Sequence, residues 1–179
     1  MRDIVEAQHD MRAGYCSGGA GILTSAMMWL AAAVTAHFAS VSQSVWVLFI
    51  GGMLIHPVSS VLCKFLGGSG NFTKGNPLGG LAIASTFWLI FSLPLAYAAF
   101  LQRAEWFFPA MLLVIGGRYL TFSVLFGMRV YWALGFVLAG AAYLLGSNLV
   151  LPAISAFVGA AIECAFALVI LVLHRRQRA

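Results

Sequence analysis

Residues 45–66 read VWVLFIGGMLIHPVSSVLCKFL, an apolar run whose only full charge, Lys64, lies near its far end. An apolar helix of about 20 residues crosses a bilayer, because 1.5 Å of rise per residue matches a hydrocarbon core roughly 30 Å thick. Within the run, Gly52, His56, Ser59, Ser60 and Cys63 share one face by i, i+3, i+4 spacing. A polar stripe on an apolar helix is expected to turn toward other helices and away from lipid. Pro57 removes an amide donor from the middle of the run, strips the Met53 carbonyl of its usual partner and should kink the helix.

Working outward, five further runs of this kind are expected, at about 21–39, 78–101, 106–126, 131–149 and 152–173. The fold class that follows is all-α: a polytopic membrane protein of six transmembrane helices built as three helical hairpins. Residues 1–19 form a polar N-terminal segment in which Ile4, Met11 and Tyr15 recur at roughly helical spacing, consistent with an interfacial helix. Asp3, Glu6 and Asp10 argue that the first run is an anchor and not a signal peptide. Residues 20–173 make the membrane domain, and 174–179 a basic tail. Pro77, Pro109 and Pro152 mark helix starts, whereas Pro57 and Pro94 fall inside runs.

Composition agrees. The chain has 179 residues, 62% hydrophobic and 8% charged, too few charges to cover a soluble surface. The net charge of +5 does not point to nucleic acid, because the basic residues cluster at the ends of the runs, where anionic headgroups lie. Arg2, Arg12, Lys64, Lys74, Arg129, Arg175, Arg176 and Arg178 fall on one side; Arg103 falls on the other, and Arg118 lies within a span. By the positive-inside rule both termini are expected in the cytoplasm. Trp46, Trp106, Phe107 and Phe108 then fall at the outer interface, where an aromatic belt is expected. Cys16, Cys63 and Cys164 are odd in number and lack a CxxC, so buried thiols are expected in place of a disulfide framework or zinc site.

An internal repeat accompanies the hairpins. Phe49-Ile50-Gly51-Gly52, Val114-Ile115-Gly116-Gly117 and Phe157-Val158-Gly159-Ala160 occupy corresponding places in the even-numbered runs, and Trp29, Trp88 and Trp132 mark the odd ones. Gly51, Gly52, Gly116, Gly117 and Gly159 are therefore expected to let helices approach closely. With its triplicated hairpins, the chain resembles the HdeD-like bacterial membrane proteins, most of all in RVYWALGFVLAGAAYLLGSNLVLPAISAFVGAAIECAFALVILVLHRR. That resemblance implies a multi-pass protein of the bacterial inner membrane and a stress-related role. His56-Pro57 and Arg118 depart from that family's pattern. The block GGMLIHPVSSVLCKFLG is also similar to uncharacterised small bacterial membrane proteins.

Three ionisable residues lie inside even-numbered runs: His56, Arg118 and Glu163. Each costs about 2.5–3.5 kcal/mol at the bilayer centre on insertion scales. Counted from the outer ends they fall at similar depth, so they are expected to face one another or a shared polar cavity, flanked by Ser59 and Ser60. Arg118 with Glu163 is the sharpest pair, readable as an ion pair pinning two helices or as a site for gating, proton coupling or anion binding. His56 has no second well-placed histidine, so neither haem nor a metal is expected. The glycine-rich loop 67–76 lacks the spacing of a phosphate loop, and Asn71-Phe72-Thr73 is a formal glycosylation sequon on the cytoplasmic side.

Three functions remain. The first is a non-enzymatic module acting through lipids or partners, tightly packed around a buried polar centre. The second is a small channel or transporter using His56, Arg118 and Glu163. The third is an intramembrane enzyme using Ser59 or Cys63 beside His56. Membrane lipids are the expected partners, self-association stays open, no cofactor is expected, and the ligand is not legible.

Overall fold

The computed structural model describes residues 3–178, with side chains through 176. Arg2 and the side chain of Arg178, both counted above for topology, lie outside the described residues. Seven α-helices follow in order: α1 (Ile4–Tyr15), α2 (Gly19–Phe38), α3 (Val41–Phe65), α4 (Gly79–Gln102), α5 (Phe107–Phe126), α6 (Val130–Ser147) and α7 (Pro152–Arg178). Short 3-10 turns at Cys16–Gly18 and Ala104–Trp106 complete the regular structure of the described residues. Among them are six helical spans long and apolar enough to cross a membrane. Helices α2 to α7 each begin within a few residues of the run expected from sequence, and the first span also takes in α1, from Ile4.

Local chemistry explains the ends. The Ser40 hydroxyl caps α3 by accepting from the Gln43 amide at 3.2 Å. Pro152 opens α7, where a missing N–H costs nothing, and Gly127 closes α5 in a left-handed conformation, φ 62°. Residues 174–178 extend α7 instead of leaving it as a tail, and His174 turns inward.

Within each hairpin the two helices are joined by a short connection, but packing does not follow the hairpins evenly. Helix α2 lies against α3 and along α7, while α5 lies along α6 and against α4. Helix α7 therefore finds its main neighbour in α2 and not in its own hairpin partner α6. Lipid tails are as apolar as leucine, so close contact and not hydrophobic expulsion decides which faces meet. Small residues supply that contact. A β-carbon on Gly159 would stand 2.9 Å from the Trp29 ring, one on Gly51 would stand 2.8 Å from the Met28 sulfur, and one on Gly116 would stand 3.0 Å from the Gly135 carbonyl oxygen. Gly52 and Gly117, by contrast, face open space. In the two Gly-Gly pairs the first glycine thus sits at a helix contact and the second does not, because one residue of helix turns the side-chain direction by about 100°, whereas in the third pair Ala160 is buried along with Gly159.

Other expectations change. Phe107 and Phe108 are fully buried: their rings meet at 5.0 Å, with Phe49 5.5 Å from Phe107 and Trp29 5.9 Å from Phe108. They belong to the core and not to an interfacial belt, whereas Trp46 and Trp106 are exposed. Trp29 is buried but Trp88 and Trp132 are exposed, so the three repeated tryptophans play different parts. The outer faces carry apolar side chains such as Met53, Phe91 and Leu95, as lipid contact requires.

Candidate functional site

Glu163 lies on a stripe of α7 running through Ser155, Ala156, Gly159, Ala160, Ala167 and Ile170, all buried. These small neighbours let α7 press against α2, and the helical spacing carries the carboxyl inward with them. The side chain is 0% exposed. The Tyr119 hydroxyl, on α5, donates to Glu163 Oε1 at 2.8 Å. Ser25 and Trp29, four residues apart on α2, face the same carboxyl. The carboxyl therefore stands where α2, α5 and α7 meet. Among the described residues, Glu163 Oε2 and the Trp29 indole Nε1 have no hydrogen-bond partner. A buried acceptor left in this state costs roughly 1–3 kcal/mol, so this junction is a stress point in the bundle.

Arg118 does not reach Glu163: no ion pair within 4.0 Å joins them. Tyr119 belongs to the inward stripe Leu112, Gly116, Tyr119, Ser123 of α5, and Arg118, one residue earlier, is turned about 100° away. Its guanidinium lies 5.3 Å from the Phe122 ring centroid and donates to the Thr86 hydroxyl of α4 at 3.3 Å. The cation is thus dressed by a ring and one hydroxyl, while Glu163 acts on it only through space.

His56 joins neither residue. It is exposed, with its ring 6.4 Å from that of Tyr15. The inward stripe of α3 runs through Ser44, Val45, Leu48 and Gly51, which leaves Gly52 and His56 on the outer side. Helix α3 also starts at Val41, four residues earlier than expected, so His56 lies about 6 Å deeper from that end than Arg118 and Glu163 lie from theirs. Ser59 and Ser60 are half-buried, and the Ser59 hydroxyl donates to the His56 carbonyl at 3.0 Å, using its proton within α3. The expected three-residue centre is therefore replaced by Glu163 with Tyr119, Ser25 and Trp29, and these last three sequence reasoning missed. The available signal was helical register: Ser25 and Trp29 share a face, and Tyr119 shares one with Gly116.

A second polar cluster lies at the other end of the chain's path. Cys16 and Cys63 form a disulfide across a Cα–Cα distance of 6.0 Å, leaving Cys164 free. This corrects the expectation of three buried thiols. The elbow before α2 and the last turn of α3 stand side by side, a proximity that 47 residues of separation conceal. It also removes Cys63 as a nucleophile beside His56. At the elbow, Cys16, Ser17 and Gly18 are all left-handed, with φ of 51°, 54° and 81°. A β-carbon on Gly18 would stand 2.2 Å from the Tyr131 hydroxyl, so only glycine fits there. That hydroxyl donates to the Ser17 carbonyl at 2.6 Å, and Ser17 Oγ lies 2.8 Å from His174 Nδ1.

The comparisons with known proteins place the chain as a whole. It belongs to a family of unknown function (DUF7010), whose model matches residues 4–173. No curated protein and no solved structure matches it. The matched stretch runs from α1 almost to the end of α7, so both polar clusters fall within the family's span. The match is to a family of unknown function over most of the chain, and no match points to the HdeD-like proteins.

Proposed function

We propose that this member of the DUF7010 family is a non-enzymatic module of the bacterial inner membrane, with both termini in the cytoplasm, which works by contact with lipids or partner chains. The observation that carries the reading is the enclosure of Glu163. A transport pathway needs its ionisable group to meet water from at least one side. Glu163 is instead sealed by Tyr119, Ser25 and Trp29 at a three-helix junction. The likeness to HdeD-like proteins contributes the hairpin pattern and the stress-related setting, and nothing about a ligand. The basic residues at one end of the bundle support the cytoplasmic placement.

The test is reconstitution into liposomes with a pH-sensitive dye and imposed proton and ion gradients. The expected result is flux equal to that of empty liposomes for the natural protein and for Glu163→Gln, with a changed unfolding midpoint for the variant. Flux in the natural protein that Glu163→Gln abolishes overturns the reading. A small channel or transporter is the second reading. It draws support from Glu163 Oε2 and Arg118 Nε, two buried polar atoms without a hydrogen-bond partner among the described residues.

A further inference from the structure

We propose that Cys16 and Cys63 are a reversible redox clasp, opened by a dithiol reductant, which controls how firmly α1 is held across the end of the bundle. The proposal goes beyond the reading above but rests on its cytoplasmic placement of this end.

The pair stands at the basic end of the molecule, with Arg12 four residues before Cys16 and Lys64 next to Cys63. In a reducing cytosol, disulfides do not persist as permanent staples; those that form there are transient, catalytic or sensing. A bonded pair on this face is therefore expected to cycle.

What the bond holds is specific. It ties the elbow that ends α1 to the last turn of α3. Left-handed φ values at Cys16 and Ser17, neither of them glycine, persist only where the surroundings over-determine them. Here the surroundings are the disulfide, the Tyr131 hydroxyl on the Ser17 carbonyl and the Ser17–His174 contact. Beyond the elbow, α1 is held by separate polar contacts. Gln8 donates to the Val124 carbonyl at 2.8 Å and Arg12 to the Phe126 carbonyl at 2.5 Å, both at the end of α5. Asp10 accepts from the Thr73 amide and hydroxyl and from Asn76 Nδ2. Opening the disulfide leaves these contacts in place but removes the one covalent tie that fixes the elbow's direction.

Access is built in. Both sulfurs are buried, Cys16 at 0% and Cys63 at 1% exposure, and the cover is Gly67-Gly68-Ser69-Gly70. A β-carbon on Gly68 would stand 2.5 Å from the Cys63 sulfur and 2.9 Å from that of Cys16. The Gly70 amide bonds to the Gly14 carbonyl at 2.9 Å, which closes the cover onto α1. Gly67 and Gly70 are left-handed, so three glycines in four residues give this segment the freedom to lift.

The chemistry balances without any group from the protein beyond the two sulfurs. One thiolate of the reductant attacks a sulfur of the disulfide and forms a mixed disulfide, releasing the other cysteine as a thiol. The reductant's second thiol then displaces the remaining cysteine. Two electrons and two protons pass to Cys16 and Cys63, and the dithiol leaves as a disulfide. A peroxide restores the clasp: a thiolate is oxidised to a sulfenic acid, and its neighbour displaces water to close the bond.

The test uses the full chain in its own membrane, in a Cys164→Ala background so that only the pair is counted. Cells are acid-quenched before and after peroxide treatment and alkylated with a maleimide that adds mass. The expected result is two reactive thiols before treatment and none after. Membranes are then digested with trypsin and cleavage after Arg12 is timed by mass spectrometry. Reduction is expected to speed that cleavage by about tenfold, because proteolysis follows the population of the opened segment. Cys63→Ser should cleave at the fast rate with or without reductant; the natural protein, reduced in place, supplies the same comparison if that variant misfolds. Thiols that stay in one state throughout overturn the proposal, and so does a cleavage rate indifferent to reduction, which leaves the cytoplasmic placement standing. Reduction of the pair in intact spheroplasts by an impermeant phosphine overturns the placement itself, and the cycle with it.

Discussion

Tyr119→Phe removes one oxygen from the centre of the bundle, and its effect can be worked from the geometry. Among the described residues, the Tyr119 hydroxyl donates to Glu163 Oε1 at 2.8 Å, and Oε2 already lacks a hydrogen-bond partner. The variant takes that bond from a fully buried carboxyl and leaves it facing only Ser25 and Trp29. Stranding a buried acceptor costs about 1–3 kcal/mol, while an average interhelical hydrogen bond in a membrane is worth about 0.6 kcal/mol. The larger figure should govern here, because at 0% exposure the carboxyl has no route to water. Glu163→Leu removes the demand altogether and should be close to neutral or stabilising, as when buried charges are replaced by apolar groups. In that background Tyr119→Phe should cost no more than about 0.5 kcal/mol, giving a coupling energy of about 1–2 kcal/mol between the two positions. The assay is equilibrium unfolding in mixed micelles, with helicity followed against the mole fraction of a denaturing detergent. A Tyr119→Phe cost equal in both backgrounds would refute the reasoning, since the hydroxyl would then matter by its packing and not by its bond to Glu163.

The repeated glycine pairs make a sharper contrast. Gly116→Leu should destabilise by at least about 2 kcal/mol in the same assay, because its β-carbon meets the Gly135 backbone, whereas Gly117→Ala, in open space, should stay within about 0.5 kcal/mol of the natural protein. Gly14→Ala places a methyl 2.5 Å from the Asn71 carbonyl oxygen and should loosen the loop from α1, seen as faster hydrogen exchange at the Thr73 amide. Asp10→Ala strips that amide, the Thr73 hydroxyl and one Asn76 bond of their acceptor, and should loosen the same loop without moving the spans.

The six spans were legible in the linear sequence because insertion into hydrocarbon depends on local quantities: the length of an apolar run, its flanking charges, and prolines and glycines at its ends. The place of Glu163 was also partly legible, since small residues at helical spacing on α7 mark the face that must approach a neighbour. What the tertiary structure alone decided was azimuth and partnership. One residue of rotation separates Tyr119, which meets Glu163, from Arg118, which turns to Thr86 and Phe122. The same step separates Gly51, in contact with α2, from the outward Gly52 and leaves His56 outside the bundle. The pairing of Cys16 with Cys63 likewise depends on where a chain elbow comes to rest beside a helix 47 residues away. Hydropathy fixes how deep a residue lies, but it is nearly blind to direction around a helix whose whole circumference is apolar. Direction is settled by which small faces can close on each other, and that is a property of the packed bundle.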